Sequence, residues 1–290
     1  MSALGKNSAL VTQHICRLRG GSHPILVRAS DGFRYVLKFA NNLQGPNVIF
    51  NERIGSDLYR ACGLSVPPWK WLIVTDAFID RNPGCWIQAK DGPLRPQPGF
   101  CFGSRFLGMD VKRLFEILPG NSHKRVCNRQ SFWLAWLIDI CADHTDNRQA
   151  VFLEDQKGGL EAFFVDHGHL FGGPRGDDVS NYQASRFADP RIYPELDSEQ
   201  FRRIGTVLRN LNADKLWNSA QSLPDTLRSP SALSSLNESL QRLGNPISVQ
   251  NVLEVIANSA TRRSRIEDDQ PEGGRKLKSK ILYSGVQGAV

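Results

Sequence analysis

From residue 11 to 40, apolar and polar positions alternate at the two-residue period of half-buried strands, in "VTQHICRL", then "ILVRAS", then "FRYVLKF". The tip "RGGSHP" separates the first two runs. Asp31-Gly32 separates the second and third, and that dipeptide suits a tight hairpin turn. Three antiparallel strands are therefore expected. The period then changes: "NVIFNERIGSDLYRACGL" puts Val48, Ile49, Ile54, Leu58, Ala61 and Cys62 on one helical stripe, with Gly63 as its stop before "SVPP". "WKWLIVTDAFI" reads as a further strand, and "PGFCFGSRF" as an extended connector whose small residues at 99, 103, 104 and 108 suit a hinge.

Beyond the connector the pattern predicts helices, "VKRLFEIL" and the long apolar run "RQSFWLAWLIDICADH" (129–144). Two short strands follow, "QAVFL" and "EAFFVDHG", around the turn "EDQKGG". From 195 onward the pattern is helical through "DSEQFRRIGTVLRNL", "ADKLWNSAQSL", "SALSSLNESLQRL" and "SVQNVLEVIANSATRRSRI". No internal repeat is visible. The expected fold class is α+β: a β-rich N-terminal lobe at 1–100, a hinge at 101–108, a mainly helical C-terminal lobe at 109–266, and a polar, disordered basic tail at 267–290.

Composition narrows this picture. A length of 290 residues is enough for two lobes with real cores. No run approaches the ~18–20 apolar residues that a membrane span needs. The start "MSALGKNSALVTQ" lacks the basic and apolar regions of a signal peptide, so a cytoplasmic location is expected. Six cysteines lie scattered without a C-x-x-C pair, which argues against a zinc site and a disulfide framework. The net charge of +7 suits an anionic ligand. Part of it sits in "RKLKSK" (275–280), so no nucleic-acid face is singled out and no direct nucleic-acid contact is expected.

Three clusters could carry chemistry. In the first, Gly20, Gly21 and Ser22 form a hairpin tip where backbone N–H groups can converge on an anion. Lys38 ends an apolar run between Leu37 and Phe39, and Glu52 in the following helix offers it a partner. A strand lysine answered by a helix glutamate is the pair that kinases use to position phosphates. The second cluster is "DICADHTDNRQAVF" (139–152), where Asp139, Asp143, Asp146 and Asn147 sit between a buried helix and a strand. In the third, "FFVDHGHLFGGP" (163–174), Asp166 ends an apolar strand, and Mg²⁺ needs only one or two carboxylates besides phosphate oxygens. His167 and His169 read as structural hydrogen-bonding residues of that loop.

In this order, "RGGSHPILVRASDGFRYVLKFANNLQG", "NERIGSDLYRACGLSVPP", "DICADHTDNRQAVF" and "FFVDHGHLFGG" resemble a HipA-like kinase, of a bacterial branch of the protein-kinase and phosphatidylinositol-kinase superfamily. The resemblance covers about residues 14 to 175. It implies a two-lobed protein-kinase-like fold that uses ATP and Mg²⁺ and transfers the γ-phosphate to a Ser or Thr hydroxyl of an unknown protein or small-molecule acceptor, with Ser22 of the chain itself as a candidate target. It implies Gly20, Gly21 and Ser22 as the phosphate-covering loop, Lys38 as the phosphate-binding lysine and Glu52 as its helix partner. Phe102, Gly103 and Ser104 correspond to the adenine-site linker, and Asp166 to the metal-binding aspartate.

The catalytic loop departs from the family pattern, which places an Asn five positions after the catalytic Asp. Asp146 lies seven residues after Asp139, as the family spacing asks, yet position 151 is Val, so Asn147 or Gln149 must replace the usual metal-binding Asn. Asp146 with Gln149 is favoured because Gln149 directly precedes the strand; the rival register takes Asp143 with Asn147. The shortened loop keeps open a pseudokinase or nucleotide-binding regulatory module without catalysis. Toxin-like kinases of this group work with a DNA-binding antitoxin, so a regulatory partner chain also stays open.

Overall fold

A computed structural model describes residues 7–109, 113–176 and 185–267. The alternating N-terminal segments form β1 (Ser8–Arg17), β2 (Ile25–Ala29) and β3 (Arg34–Lys38). Gly32 takes φ +84° in the turn between β2 and β3, a left-handed conformation that glycine adopts without strain. Asp31 beside it accepts from the Phe33 N–H and the Tyr35 hydroxyl, so the sharp turn leaves few polar groups unpaired.

Helix α1 (Val48–Ala61) follows, and Gly63 at φ +78° ends it as expected. The stretch "WKWLIVTDAFI" divides into β4 (Trp69–Val74) and a short helix α2 (Asp76–Arg81). The reason is local: Thr75 caps the helix by accepting from the Phe78 N–H at 3.2 Å, which competes with extending the strand. A small hairpin, β5 (Ile87–Ala89) and β6 (Gly92–Leu94), comes next.

Residues 99–105, expected as an extended connector, form β7 (Gly99–Arg105), which pairs with both β3 and β4. The glycine at 103 is needed for packing, since a Cβ there would lie 2.5 Å from Leu72 Cδ1. Parallel pairing of β1 with β4 closes the sheet into a barrel of order β1-β2-β3-β7-β4. Val11, Ile25, Val27, Leu37 and Leu72 fill its interior.

The expected helix at "VKRLFEIL" is instead a strand, β8 (Arg113–Phe115), with its first two residues outside the described region. Leu114 and Phe115 pair across to Leu153 and Phe152, and this cross-strand burial outweighs helical propensity in a segment that stops at Pro119-Gly120. Helix α3 (Ser131–Cys141) is buried on nearly every face, as its apolar sequence requires. β9 (Gln149–Glu154) and β10 (Leu160–Val165) complete a sheet of order β10-β9-β8.

Four helices follow: α4 (Ser198–Arg209), α5 (Ala213–Gln221), α6 (Pro230–Gly244) and α7 (Pro246–Glu267). They match the four helical stretches read from sequence. Asp197 and Gln200 form a reciprocal capping box at the start of α4. The main core unites α1, α3 and these helices. The expected disordered tail, beyond Glu267, lies outside the described residues. Among the described residues no helix is long and apolar enough to cross a membrane.

Candidate active site

Lys38 lies on the same face of β3 as Val36, while Tyr35 and Leu37 point into the barrel. It therefore leaves the barrel outward, as strand alternation requires, but into the space between barrel and helices, where only 7% of it is exposed. A buried ammonium needs partners. It has two: an ion pair with Glu52 Oε1 of α1, and a second with Asp166 Oδ1 at 2.6 Å, just past the end of β10. Glu52 Oε1 also accepts from the Gly168 N–H at 3.1 Å. Three segments far apart in sequence thus meet at one cation.

Burial alone would lower the Lys38 pKa, but the carboxylates of Asp166 and Glu52 outweigh it and hold the ammonium charged well above its ordinary range. Burial would raise the Asp166 carboxyl; the Lys38 charge and hydrogen bond hold it well below the usual carboxylate range. At Glu52 burial wins, with the Asp166 charge adding to it, and its pKa rises despite Lys38.

The triad lines part of a cleft enclosing about 500 Å³, open mouth included. Leu18, Val36 and Phe102 line its barrel side, Phe164 and Val165 its other side, and Ser104 and Ser56 add polar atoms. Gly103 shares the strand but faces Leu72. The hairpin tip of Gly20, Gly21 and Ser22 is folded down: the Ser22 carbonyl accepts from Asn42 Nδ2 at 3.0 Å, and a Cβ on Gly21 would lie 2.8 Å from Gln44 Nε2. Ser22 itself is 7% exposed, so modification of its hydroxyl requires the tip to lift.

The loop 142–149 runs beside the loop 166–173. The Thr145 N–H donates to His169 O, the Phe171 N–H to Ala142 O and the Gly172 N–H to Asp143 O, at 2.7–3.1 Å. Asp166 sits at φ +60°, strained for a non-glycine residue. Gln149 Nε2 donates to Asp166 Oδ2 at 2.7 Å, which places the first residue of β9 directly on the carboxylate at the end of β10. The Asp146 carboxylate accepts from the Asn147 N–H at 2.8 Å and lies 3.9 Å from His169 Nε2. The Asn147 side chain is exposed. Asp143 instead forms an ion pair with Arg242 of α6, whose Nε also donates to Cys141 O.

The Asp166 carboxylate is a hard oxygen donor of the kind a cation takes beside water and phosphate oxygens, and the Gln149 side chain next to it carries a carbonyl oxygen of the same kind. Such donors fit Mg²⁺ and not zinc.

Sequence reasoning missed Arg148, the residue that organises the back of the site. Its guanidinium donates to both Asp139 oxygens at 2.8 and 2.6 Å, to Val165 O at 3.1 Å and to His167 Nδ1 at 3.3 Å. Tyr59 completes the network, donating to Asp139 Oδ1 at 2.5 Å. A signal existed: one carboxylate inside so apolar a helix as "FWLAWLIDIC" demands a buried cation, and Arg148 is the nearest arginine after it.

His144 gives a pH test. Burial, reinforced by the Arg148 charge, pushes its imidazole down to about 4 from an ordinary 6.5. Between those values the unfolded chain holds a proton that the native chain does not, so stability rises with pH there and is lost as pH falls from 6.5 toward 4. The share of His144 is on the order of 3 kcal/mol. Denaturant titrations at pH 7, 5 and 4 should show a shallower acid loss in His144→Asn. His167, also held well below its ordinary range by burial and Arg148, keeps part of the slope.

No family model matches the chain, and no curated protein matches it. Among solved structures, that of a Helicobacter pylori proinflammatory kinase, CtkA, aligns over 84% of this chain and 98% of its own, with a TM-score of 0.54 at 11% identity. Two structures of the Golgi casein kinase, one with Mn/ADP bound, align at TM-scores of 0.46 and 0.44, each at 12% identity. They cover 87% and 84% of this chain and 72% of their own. The chain has a two-lobed kinase-like fold, with a β-rich N-terminal region and a helical C-terminal region.

Proposed function

We infer that the chain is an ATP- and Mg²⁺-dependent kinase that transfers the γ-phosphoryl group to a Ser or Thr hydroxyl, HipA-like in type, with its lobes joined at 101–108. The observation that carries this reading is the buried Glu52–Lys38–Asp166 triad in the wall of a cleft otherwise lined mainly by apolar side chains. The apolar walls at Leu18, Val36 and Phe102 suit an adenine ring, with Phe102, Gly103 and Ser104 as the linker strand. Lys38, kept charged and aimed by Glu52, binds the phosphates. Gly20, Gly21 and Ser22 cover them with backbone N–H groups.

Mg²⁺, when bound, neutralises charge on the β- and γ-phosphates. Asp166 with Gln149 would hold it. Asp146 orients the acceptor hydroxyl and takes its proton as the oxygen attacks phosphorus and the bond to the β-phosphate oxygen breaks. Three facts support Asp146 with Gln149 over Asp143 with Asn147: Gln149 touches Asp166, Asn147 is exposed, and Asp143 is paired with Arg242.

Two measurements on the wild-type chain test the reading. Saturating Mg²⁺-ATP at about 100 times its dissociation constant should stabilise the fold by about 2.7 kcal/mol in a thermal melt. Incubation with γ-labelled ATP should transfer label to the chain or to a general Ser/Thr substrate. No shift and no transfer would refute it. A shift without transfer would select the pseudokinase alternative, which the shortened catalytic loop motivates.

A further inference from the structure

Lys38 can grip phosphates only if α1 holds Glu52 inward, so whatever fixes α1 decides whether the site is assembled. The loop that follows Asp166 binds the first half of that helix at several points. The Asn47 N–H donates to Pro174 O at 2.9 Å, and a Cβ on Gly45 would collide with the same oxygen. Gly55 lets the helix press on His167 and Leu170, whose side chains would stand 2.7 and 2.6 Å from an added Cβ. The Gly168 N–H donates to the Glu52 carboxylate itself.

The centre of this contact is Asn51, fully buried one residue before Glu52. Its Nδ2 faces the carbonyls of Gly168, Leu170 and Gly173 at 3.0, 2.7 and 3.0 Å. An amide has only two N–H groups, so the three acceptors share them. Meanwhile Asn51 Oδ1 is buried without a partner. A side chain selected only to fill this space would carry no such unpaired oxygen. The three carbonyls are what the asparagine serves.

We propose that Asn51 is a positioning residue that pins α1 to the loop 168–174, so that Glu52 meets Lys38 through contacts within this chain. The proposal rests on the kinase reading for its consequence, nucleotide binding, but the pin itself is read from the loop. An isosteric aspartate removes the donors and sets a carboxylate against three carbonyls, whereas an alanine removes the side-chain donor from all three carbonyls and leaves Leu170 O and Gly173 O only their backbone donors, the Gly173 and Gly176 N–H groups at 3.2 Å.

The test compares wild type, Asn51→Asp and Asn51→Ala by amide hydrogen exchange, with and without Mg²⁺-ATP. Exchange should rise over 48–55 and 167–174 in both variants while the barrel strands keep their protection. The Mg²⁺-ATP concentration giving half-maximal thermal stabilisation should rise about tenfold, the effect of one lost buried hydrogen bond. In a Glu52→Gln background the added effect of Asn51→Ala should shrink below about twofold, because Asn51 acts through Glu52.

Losses that add independently of Glu52, unchanged exchange in the two segments, or global unfolding of both variants would overturn the proposal. Were wild type to gain nothing from Mg²⁺-ATP, the kinase reading would fall. The exchange data would still decide whether Asn51 pins the loop.

Discussion

Lys38→Ala and Asp166→Asn should each lower phosphotransfer by about 10²–10³-fold or more, the loss that follows removal of one preorganised electrostatic partner of a reacting group. Both should also lose most of the thermal stabilisation given by Mg²⁺-ATP. Their stabilities without ligand should differ. Lys38→Ala leaves Glu52 and Asp166 facing one another, buried and without their cation, so one of them must take up a proton or the site must open. Asp166→Asn leaves Lys38 paired with Glu52.

The signs with pH separate the two variants further. The depressed Asp166 pKa contributes stability above the ordinary carboxylate range, and that contribution is lost as pH falls through the native value. In Lys38→Ala the depression is gone, so its deficit against wild type should be largest near neutral pH and narrow toward acid. Denaturant titrations at several pH values, beside a phosphotransfer assay, check both halves. Full activity in either variant would remove the residue from the proposed mechanism.

Much of the fold was legible because local pattern and tertiary demand agree. The Asp31-Gly32 hairpin, the stripe of α1 and the four C-terminal helices each carry a period and a stop signal within one window. Where burial is decided by distant partners, the pattern misled. β7 reads as a connector because its small residues suit a hinge, whereas Gly103 is small so that Leu72 can lie against the strand. β8 reads as a helix because its burial comes from β9, about forty residues on.

Of the candidate site, Lys38, Glu52 and Asp166 were visible as charges ending or facing apolar runs, and the structure brings them together. Gln149, chosen for its place before a strand, touches Asp166; Asn147 does not. Asn51 and Arg148 escaped notice, since one looks like a polar face of a helix and the other like a loop charge. The backbone carbonyls of Gly168, Leu170 and Gly173, which no side-chain pattern encodes, reveal what Asn51 is for, whereas Arg148 is explained by the buried Asp139 carboxylate it pairs with.

Arg148→Met should cost about 3–5 kcal/mol of stability, the expected effect of breaking a buried ion pair from one side. The change keeps much of the side chain's bulk but strands Asp139, which is fully buried, with only Tyr59 donating to it. It also frees Val165 O and His167 Nδ1, the groups on either side of the strained Asp166. The double variant Asp139→Leu with Arg148→Met should recover most of the stability, since an apolar pair can replace a buried ion pair at little net cost, and the Tyr59 hydroxyl retains Ala135 O as an acceptor at 3.3 Å. Recovery of the Mg²⁺-ATP response should not follow, because the bonds from Arg148 to Val165 O and His167 Nδ1, on either side of Asp166, are absent from the double variant. Denaturant melts and nucleotide titrations on the same two proteins separate the effects. If the double variant regains both, the network serves packing alone; if it regains stability but not the nucleotide response, the buried arginine holds Asp166 in place.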